Sequence, residues 1–294
     1  MTNNHKNEPR RYEGRILPNQ EEDVFDQGLA FDVETLMGRR RVLKLLGFSA
    51  LGAAGLASIA ACGAAESAAT TAAGTATTAA AGASGVCAVI PEETAGPYPG
   101  DGSNGPDVLA ESGVVRSDIT SSFGDYSGTA DGVPLTIELA IQDLSNGCEA
   151  FAGAAVYLWH CDRDGLYSLY TIEDQNYLRG VQEADANGVV RFTSIFPACY
   201  SGRWPHIHFE VFPTIDAAAD DANKIATSQV ALPEDICAEV YATEGYEVSI
   251  TNLAQVTLES DNVFGEDSGV SQLGTVTGTI EDGLTVTLAV PVST

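Results

Sequence analysis

Two histidines two residues apart, His206 and His208, follow Tyr200 and Arg203 in the stretch CYSGRWPHIHFE at residues 199–210. A strand sends alternate side chains to opposite faces, so both imidazoles would project to one side with Ile207 opposite. Two imidazoles at that separation form a bidentate platform for a first-row metal ion. The plain alternative is a pair of histidines on a wet strand face. The chain has only 4 histidines, and half of them are here. Two tyrosines extend the set. Tyr200 follows Pro197 and precedes a Ser-Gly turn that can return the chain beside the histidines, and Tyr167 follows the Asp-Gly turn of DRDG at 162–165. A phenol ionises near pH 10, so binding as phenolate at neutral pH needs a shift of about three units, roughly 4 kcal/mol. A hard trivalent cation supplies that by direct bonding, whereas zinc or copper(II) rarely recruits two phenolates. Two Tyr with two His point to ferric iron.

The elements that would position these groups read as strands. Alternating or β-branched runs cover 134–144, 154–160, 189–195, 206–211, 246–258, 273–280 and 284–290. DRDG, DANG at 185–188 and EDG at 281–283 read as turns between them. Asp-rich turns raise a calcium reading, but none has the spacing and distal Glu of a calcium loop. Residues 216–224 read as one short helix. Many short strands with little helical periodicity predict an all-β antiparallel β-sandwich or barrel.

The formal charge is −27, from 41 acidic and 14 basic residues. Eight of each precede Cys62, which leaves 33 acids against six bases: Arg116, Arg163, Arg179, Arg191, Arg203 and Lys224. Such a surface repels nucleic acid and anionic lipid heads, and suits a saline habitat. The N-terminal stretch GRRRVLKLLGFSALGAAGLASIAACG, 38–63, has the form of an export signal: a basic flank, an apolar middle and small residues at a cleavage point. Arg39–Arg41 resemble a twin-arginine pattern, and Ile59-Ala60-Ala61-Cys62 resembles a lipobox whose cysteine is lipidated. The 38 residues before the arginines exceed what such a signal needs, so Met37 is an alternative start. Residues 63–85, rich in Ala, Thr, Gly and Ser, read as a flexible tether. The expected organisation is a signal region at 1–62, the tether at 63–85 and one folded domain at 86–294. Five cysteines follow Cys62, so an oxidising compartment predicts one or two disulfides and one thiol left over.

The sequence resembles the intradiol ring-cleavage dioxygenases, the catechol and protocatechuate dioxygenase group, in particular its exported branch. The likeness rests on CAVIPEETAGPYPG (87–100), VVRSDI (114–119), CEAFAGAAVYLWHCDRDGLYS (148–168), NYLRGVQEADANGVVRFTSIFPACY (176–200) and GRWPHIHFEV (202–211). These stretches keep the family's order over most of residues 87–240. The resemblance implies the intradiol-type β-sandwich with long loops. It makes Tyr167, Tyr200, His206 and His208 the ligands of one non-haem Fe(III) per chain. It makes Tyr200 the axial ligand that leaves on substrate binding and takes up a proton, with Arg203 beside the bound diolate. Pro97 and Tyr98 of the GPY segment, Arg203 and Gln229 would line the substrate pocket. The implied reaction is cleavage of a catechol-type ring by O2 to a cis,cis-muconate-type dicarboxylate.

Two departures stand out. Ala198-Cys199 replace the family's common Gly and aromatic residue before the tyrosine, and Gln182-Glu183-Ala184-Asp185 has one residue more than the family's Gln-Thr-Asp. In an extended segment Cys199 faces away from Tyr200, which predicts a structural role or a disulfide. His160 reads as a strand histidine with a local hydrogen bond, Trp159 and Trp204 as core or pocket-wall aromatics, and Arg179 as a loop anchor.

The expected partners are a small diphenol and O2, with no nucleic acid, and a membrane only through a lipid on Cys62 at its outer face. Monomer and homo-oligomer are both open. The competing reading is a non-catalytic transthyretin-like β-sandwich binding module on a membrane-anchored lipoprotein. A third is a zinc or copper storage lipoprotein.

Overall fold

Along PLTIELAIQD, Leu135, Ile137, Leu139 and Ile141 are buried while the residues between them are not, so Pro134–Asp143 (β3) has one apolar face and one wet face. Every residue of Ala155–Trp159 (β5), His206–Phe212 (β8) and Ala226–Ala231 (β9) is buried, so these strands are covered on both sides. That difference sets the architecture. The structure, a computed structural model, describes Arg11–Tyr12 (β1), Arg15–Ile16 (β2) and residues 87–294.

The chain divides into two compact units, Met1–Gly85 and Val86–Thr294. In the first, β1 and β2 pair antiparallel. The export signal, Cys62 and the tether lie outside the described residues. Among the described residues no helix is long and apolar enough to cross a membrane.

The second unit holds two sheets. One runs in the order Thr275–Thr279 (β10), Gly283–Val292 (β11), β3 and Glu149–Ala150 (β4), with Val189–Ile195 (β7) also paired to β3. The other runs Arg179–Glu183 (β6), β5, β8, β9 and is antiparallel throughout. Leu135, Ile137 and Val286 of the first sheet share a core with Val156, Leu158, Ile207 and Phe209 of the second, which makes a β-sandwich. The expected all-β fold is present with one addition: β11 runs parallel to β3.

The second sheet's outer face carries a separate apolar cluster. Ala155, Tyr157 and Trp159 pack there against Val108, Leu109, Val114, Cys161 and Tyr167 from the loops. Alternation therefore gives β8 two jobs: Ile207, Phe209 and Val211 enter the sandwich core, while His206, His208 and Glu210 face the loop layer.

The expected strand at 246–258 is instead the helix Glu247–Leu253 (α2). Its β-branched residues suggested a strand, but its partners recur at helical spacing. Tyr246 bonds Val133 and Phe196, Ser249 accepts from Cys199 N–H, and Asn252 donates to Cys199 O. The expected helix at 216–224 is two short 3-10 turns, Ala217–Ala219 and Asp221–Asn223, split by extended Asp220. The helix Glu234–Tyr241 (α1) had no counterpart among the expected elements. It starts after Pro233, carries Glu234 and Asp235 in its first turn, and buries Cys237, Val240 and Tyr241 on one face.

Candidate metal centre

β8 delivers both histidines to the loop side of the sheet. In the ladder His208 stands between Trp159 of β5 and Gln229 of β9. His206 Nδ1 lies on the Trp204 carbonyl, which can only accept, so that nitrogen carries the proton and Nε2 carries a lone pair. His206 Nε2 is 3.1 Å from His208 Nε2 and 3.2 Å from Tyr200 Oη, and Tyr200 Oη is 3.5 Å from Tyr167 Oη. The four side chains singled out in the sequence therefore converge at one point.

Each tyrosine is placed by a specific local structure. Asp162 Oδ1 accepts from the N–H groups of Asp164 and Leu166, tightening the turn that presents Tyr167. Gly165 sits in that turn at φ +81°, and a Cβ there would stand 3.1 Å from Tyr200 Cβ, so the turn needs glycine twice over. The Ala198 N–H donates to Asp162 O, joining the Tyr167 turn to the Tyr200 segment. Cys199 is clamped by α2, its N–H on Ser249 Oγ and its carbonyl under Asn252 Nδ2. Its thiol points into the sandwich core, 3.5 Å from Arg203 O, and burial pushes it up to about 12. Cys199 is a packing residue with a fixed backbone, next to Tyr200 in sequence and turned away from the cluster.

Burial, reinforced by Arg203, drives His206 well below the ordinary histidine range. Burial, then His206 and Arg203, do the same to His208. Both imidazoles are neutral, as ligands must be. Burial raises Tyr167 and Tyr200 above the ordinary phenol range. Two Nε2 atoms at 3.1 Å repel through their lone pairs unless a proton or cation lies between them, and the two phenol oxygens close the same point. The donor set fits a metal ion. Among the described residues no group of three or more His, Cys, Asp or Glu side chains is arranged to hold a metal ion, so the set needs its tyrosines.

Arg203 is 3% exposed and fully engaged. Its Nε donates to Asp261 Oδ2 at 3.0 Å, Nη2 donates to Gln229 Oε1 at 2.7 Å, and Nη1 lies 3.4 Å from His206 Nε2. Burial would lower its pKa, but Asp261 and then Tyr200 outweigh it and the net shift is upward. Gln229 in turn donates to Thr94 O. The segment 94–100 forms the wall beside the histidines. A Cβ on Gly96 would stand 3.4 Å from His208 Cε1, and the Tyr98 ring lies 5.0 Å from both Tyr167 and Tyr170. Pro97, between them, is buried and accepts from Asn104 Nδ2.

Arg179 pins this wall. Its N–H groups reach Ser168 Oγ, Ser168 O, Tyr98 O, Pro99 O and Tyr157 Oη, joining the wall to the Tyr167 loop. His160 stays outside the cluster, between Cys161 O and Ser194 Oγ. Trp204 Nε1 donates to Leu232 O. The structure pairs Cys87 with Cys148 and leaves Cys161, Cys199 and Cys237 free and buried, three thiols rather than the expected one. Asp261, Gly96 and Thr94 were not singled out in the sequence. Asp261 is one acid among 41 in a segment without a motif, and nothing local marks it.

Comparison with known proteins agrees with this geometry. An intradiol ring-cleavage dioxygenase from Tetranychus urticae matches with a TM-score of 0.55 and 25% identity, over 70% of this chain and 95% of that one. A second solved dioxygenase matches at TM-score 0.55 and 24% identity over the same shares. Over 77 residues the chain is 32% identical to hydroxyquinol 1,2-dioxygenase of Corynebacterium glutamicum, covering 26% of this chain and 25% of that relative. That match thus spans about a quarter of the curated relative's length. No protein-family model matches the chain. The chain has the β-sandwich fold of the intradiol ring-cleavage dioxygenases and resembles them in sequence over part of its length.

Proposed function

We propose that the protein is a non-haem Fe(III) intradiol dioxygenase that opens a catechol-type ring with O2 to a cis,cis-muconate-type dicarboxylate. The observation that carries this reading is the convergence of Tyr167, Tyr200, His206 and His208 beside Arg203, on this fold. Tyr167, Tyr200, His206 and His208 would hold one iron per chain. Ferric iron, when bound, would supply the Lewis acidity that stabilises the doubly deprotonated diphenol, the form whose ring is electron-rich enough to react with O2.

The chain's own residues do the rest. Tyr200 is only partly buried, whereas Tyr167 is 2% exposed behind it under Tyr98. Tyr200 is therefore the phenol placed to meet the diphenol, and its Oη would hold a proton taken from it. Tyr167, His206 and His208 are fixed by packing and would hold the metal throughout. Arg203, a permanent cation with one nitrogen at the cluster, stabilises negative charge that builds on the ring. Gln229 and the Gly96–Tyr98 wall orient the ring and keep water out. The comparison with the Corynebacterium glutamicum hydroxyquinol 1,2-dioxygenase makes hydroxylated catechols the first substrates to try.

The test is direct. Iron-loaded protein should show a tyrosinate-to-iron charge-transfer band and consume O2 with at least one diphenol in a small panel. A colourless protein that takes up no iron on reconstitution would sink the enzyme reading and favour a binding module. Tyr200→Phe should alter the band and lower turnover by about 10²-fold or more.

For the N-terminal region we infer export through Arg39–Arg41 and anchoring at the outer face of a membrane through lipidated Cys62, with residues 63–85 as the tether and 86–294 as the catalytic domain. The lipobox and the small-residue tract support it. Fatty-acid labelling that survives Cys62→Ala would overturn the anchor.

A further inference from the structure

We propose that Asp261 is a positioning residue of the metal centre: a single carboxylate that both aims the Arg203 guanidinium and fixes the residue on which His206 is oriented. The geometry stands without any reaction, and only the consequence for turnover rests on the dioxygenase reading.

Asp261 is 2% exposed and accepts four hydrogen bonds. Oδ1 takes the N–H groups of Val263 and Phe264 at 2.8 and 3.0 Å, which fixes the carboxylate to its own turn. Oδ2 takes Arg203 Nε at 3.0 Å and Trp204 N–H at 2.6 Å. Those last two bonds bind it to the centre.

The first sets a direction. A guanidinium is a rigid planar fork, so fixing two of its nitrogens fixes the third. Asp261 holds Nε and Gln229 holds Nη2, which leaves Nη1 3.4 Å from His206 Nε2. The Phe264 ring, carried on the same turn as Asp261, lies 5.9 Å from the guanidinium carbon. The second sets a ligand. Trp204 is held at its N–H by Asp261, at its indole by Leu232 O, and its carbonyl receives the His206 Nδ1 proton. That last bond selects the tautomer leaving Nε2 free for a metal, the usual part of a carbonyl behind a ligating histidine.

A stabilising role alone explains this poorly. A buried ion pair gives up about as much in desolvation as it gains by attraction, so it is weak support for stability. Its value lies in orientation. The carboxylate also comes from a segment 58 residues beyond Arg203, outside every stretch that resembles the family. The loop of the last third of the chain is thereby part of the centre.

The test compares Asp261→Asn, which keeps the shape and an acceptor but removes the charge, with Asp261→Glu, which keeps the charge and displaces it. In metal-free protein the nitrogen-15 signals of His206 and the exchange rate of Arg203 Nε–H are recorded. In iron-loaded protein, iron content, the charge-transfer band, kcat and KM are recorded. Asp261→Asn should bind iron and keep its band, expose Arg203 Nε–H to faster exchange and shift the His206 signals. It should lower kcat by about 10–100-fold with a smaller change in KM. Asp261→Glu should recover part of the kcat. Unchanged His206 and Arg203 signals, or a kcat equal to that of the unaltered protein, would overturn the proposal. If Asp261→Asn does not fold, Asp261→Glu decides by the same signals. A protein that consumes no O2 with any diphenol sinks the dioxygenase reading alone, because the metal-free signals still judge Asp261.

Discussion

Trp159 lies flat on His208, ring centroids 4.9 Å apart and planes 6° from parallel. The two residues face each other across the β5–β8 ladder, so the stack is set by strand register. The indole spends its whole face on the imidazole and on Tyr157 behind it, and its buried N–H has no partner. A side chain kept at that cost holds the plane of the His208 ring. Trp159→Phe should be tolerated, since it retains a ring against His208 and removes the orphan donor. Trp159→Ala should cost about 3–5 kcal/mol in urea unfolding. Trp159→Leu, apolar but unstacked, should weaken iron binding by about tenfold in competition with a chelator. Unchanged affinity in Trp159→Leu would mean the stack is only packing.

Gly165 makes the Tyr167 turn and the Tyr200 segment mutually dependent. Gly165→Ala asks an L-residue to hold φ +81°, at a cost of about 1–2 kcal/mol, and presses a methyl group toward Tyr200 Cβ. Its melting temperature should fall. On the proposed function the charge-transfer band should shift as well, because the strain falls on Tyr200. A lower melting temperature with an unmoved band would show that the turn relaxes away from Tyr200.

His160 gives the unit an acid-sensitive point. Burial lowers it to about 4, with the Arg179 charge adding and its Cys161 O bond opposing. The unfolded chain binds this proton near pH 6.5 and the folded one does not until about 4, so stability is intact above 6.5 and is lost as pH falls through that window. Urea unfolding of the metal-free protein between pH 7 and 4 should show this slope, and His160→Gln should lessen it, His206 and His208 supplying the rest because burial lowers them too. Equal slopes in the two proteins would assign the acid sensitivity elsewhere.

Every basic side chain after Cys62 is already engaged within the fold. Arg163, Arg191 and Arg203 pair with Asp131, Glu138 and Asp261, Lys224 lies among Asp101, Glu210 and Asp221, and Arg116 and Arg179 are occupied by carbonyls. The remaining carboxylates repel one another through water. Raising sodium chloride from about 0.1 M to about 1 M shortens the Debye length from about 10 Å to about 3 Å and should raise the melting temperature. A melting temperature that falls with salt would mean the internal pairs matter more than the surface repulsion.

The convergence of Tyr167, Tyr200, His206 and His208 was legible in the sequence because strand alternation and turn signals constrain where those side chains point before any fold is known. The wall at 94–100, Gln229 and Arg203 were reachable only through resemblance to a family. Strands β6 and β9 were missed because RGVQE and ATSQVA carry charged and polar residues where a strand is expected to be apolar. Arg179, Thr227 and Gln229 are buried because their face of the sheet is covered by the loop layer, which is a tertiary fact. Asp261 was invisible for the same reason: its meaning lies in four donors, two of them from 57 and 58 residues upstream.

The two faces of β8 tie the centre to the sandwich core. A deletion of Ile207 would invert every later residue of the strand, aiming Phe209 at the loop layer and His208 at the core. Neither half could survive that change alone. The centre can thus vary by substitution but not by shifts in length, so insertions and deletions that diversify such a protein are confined to its loops.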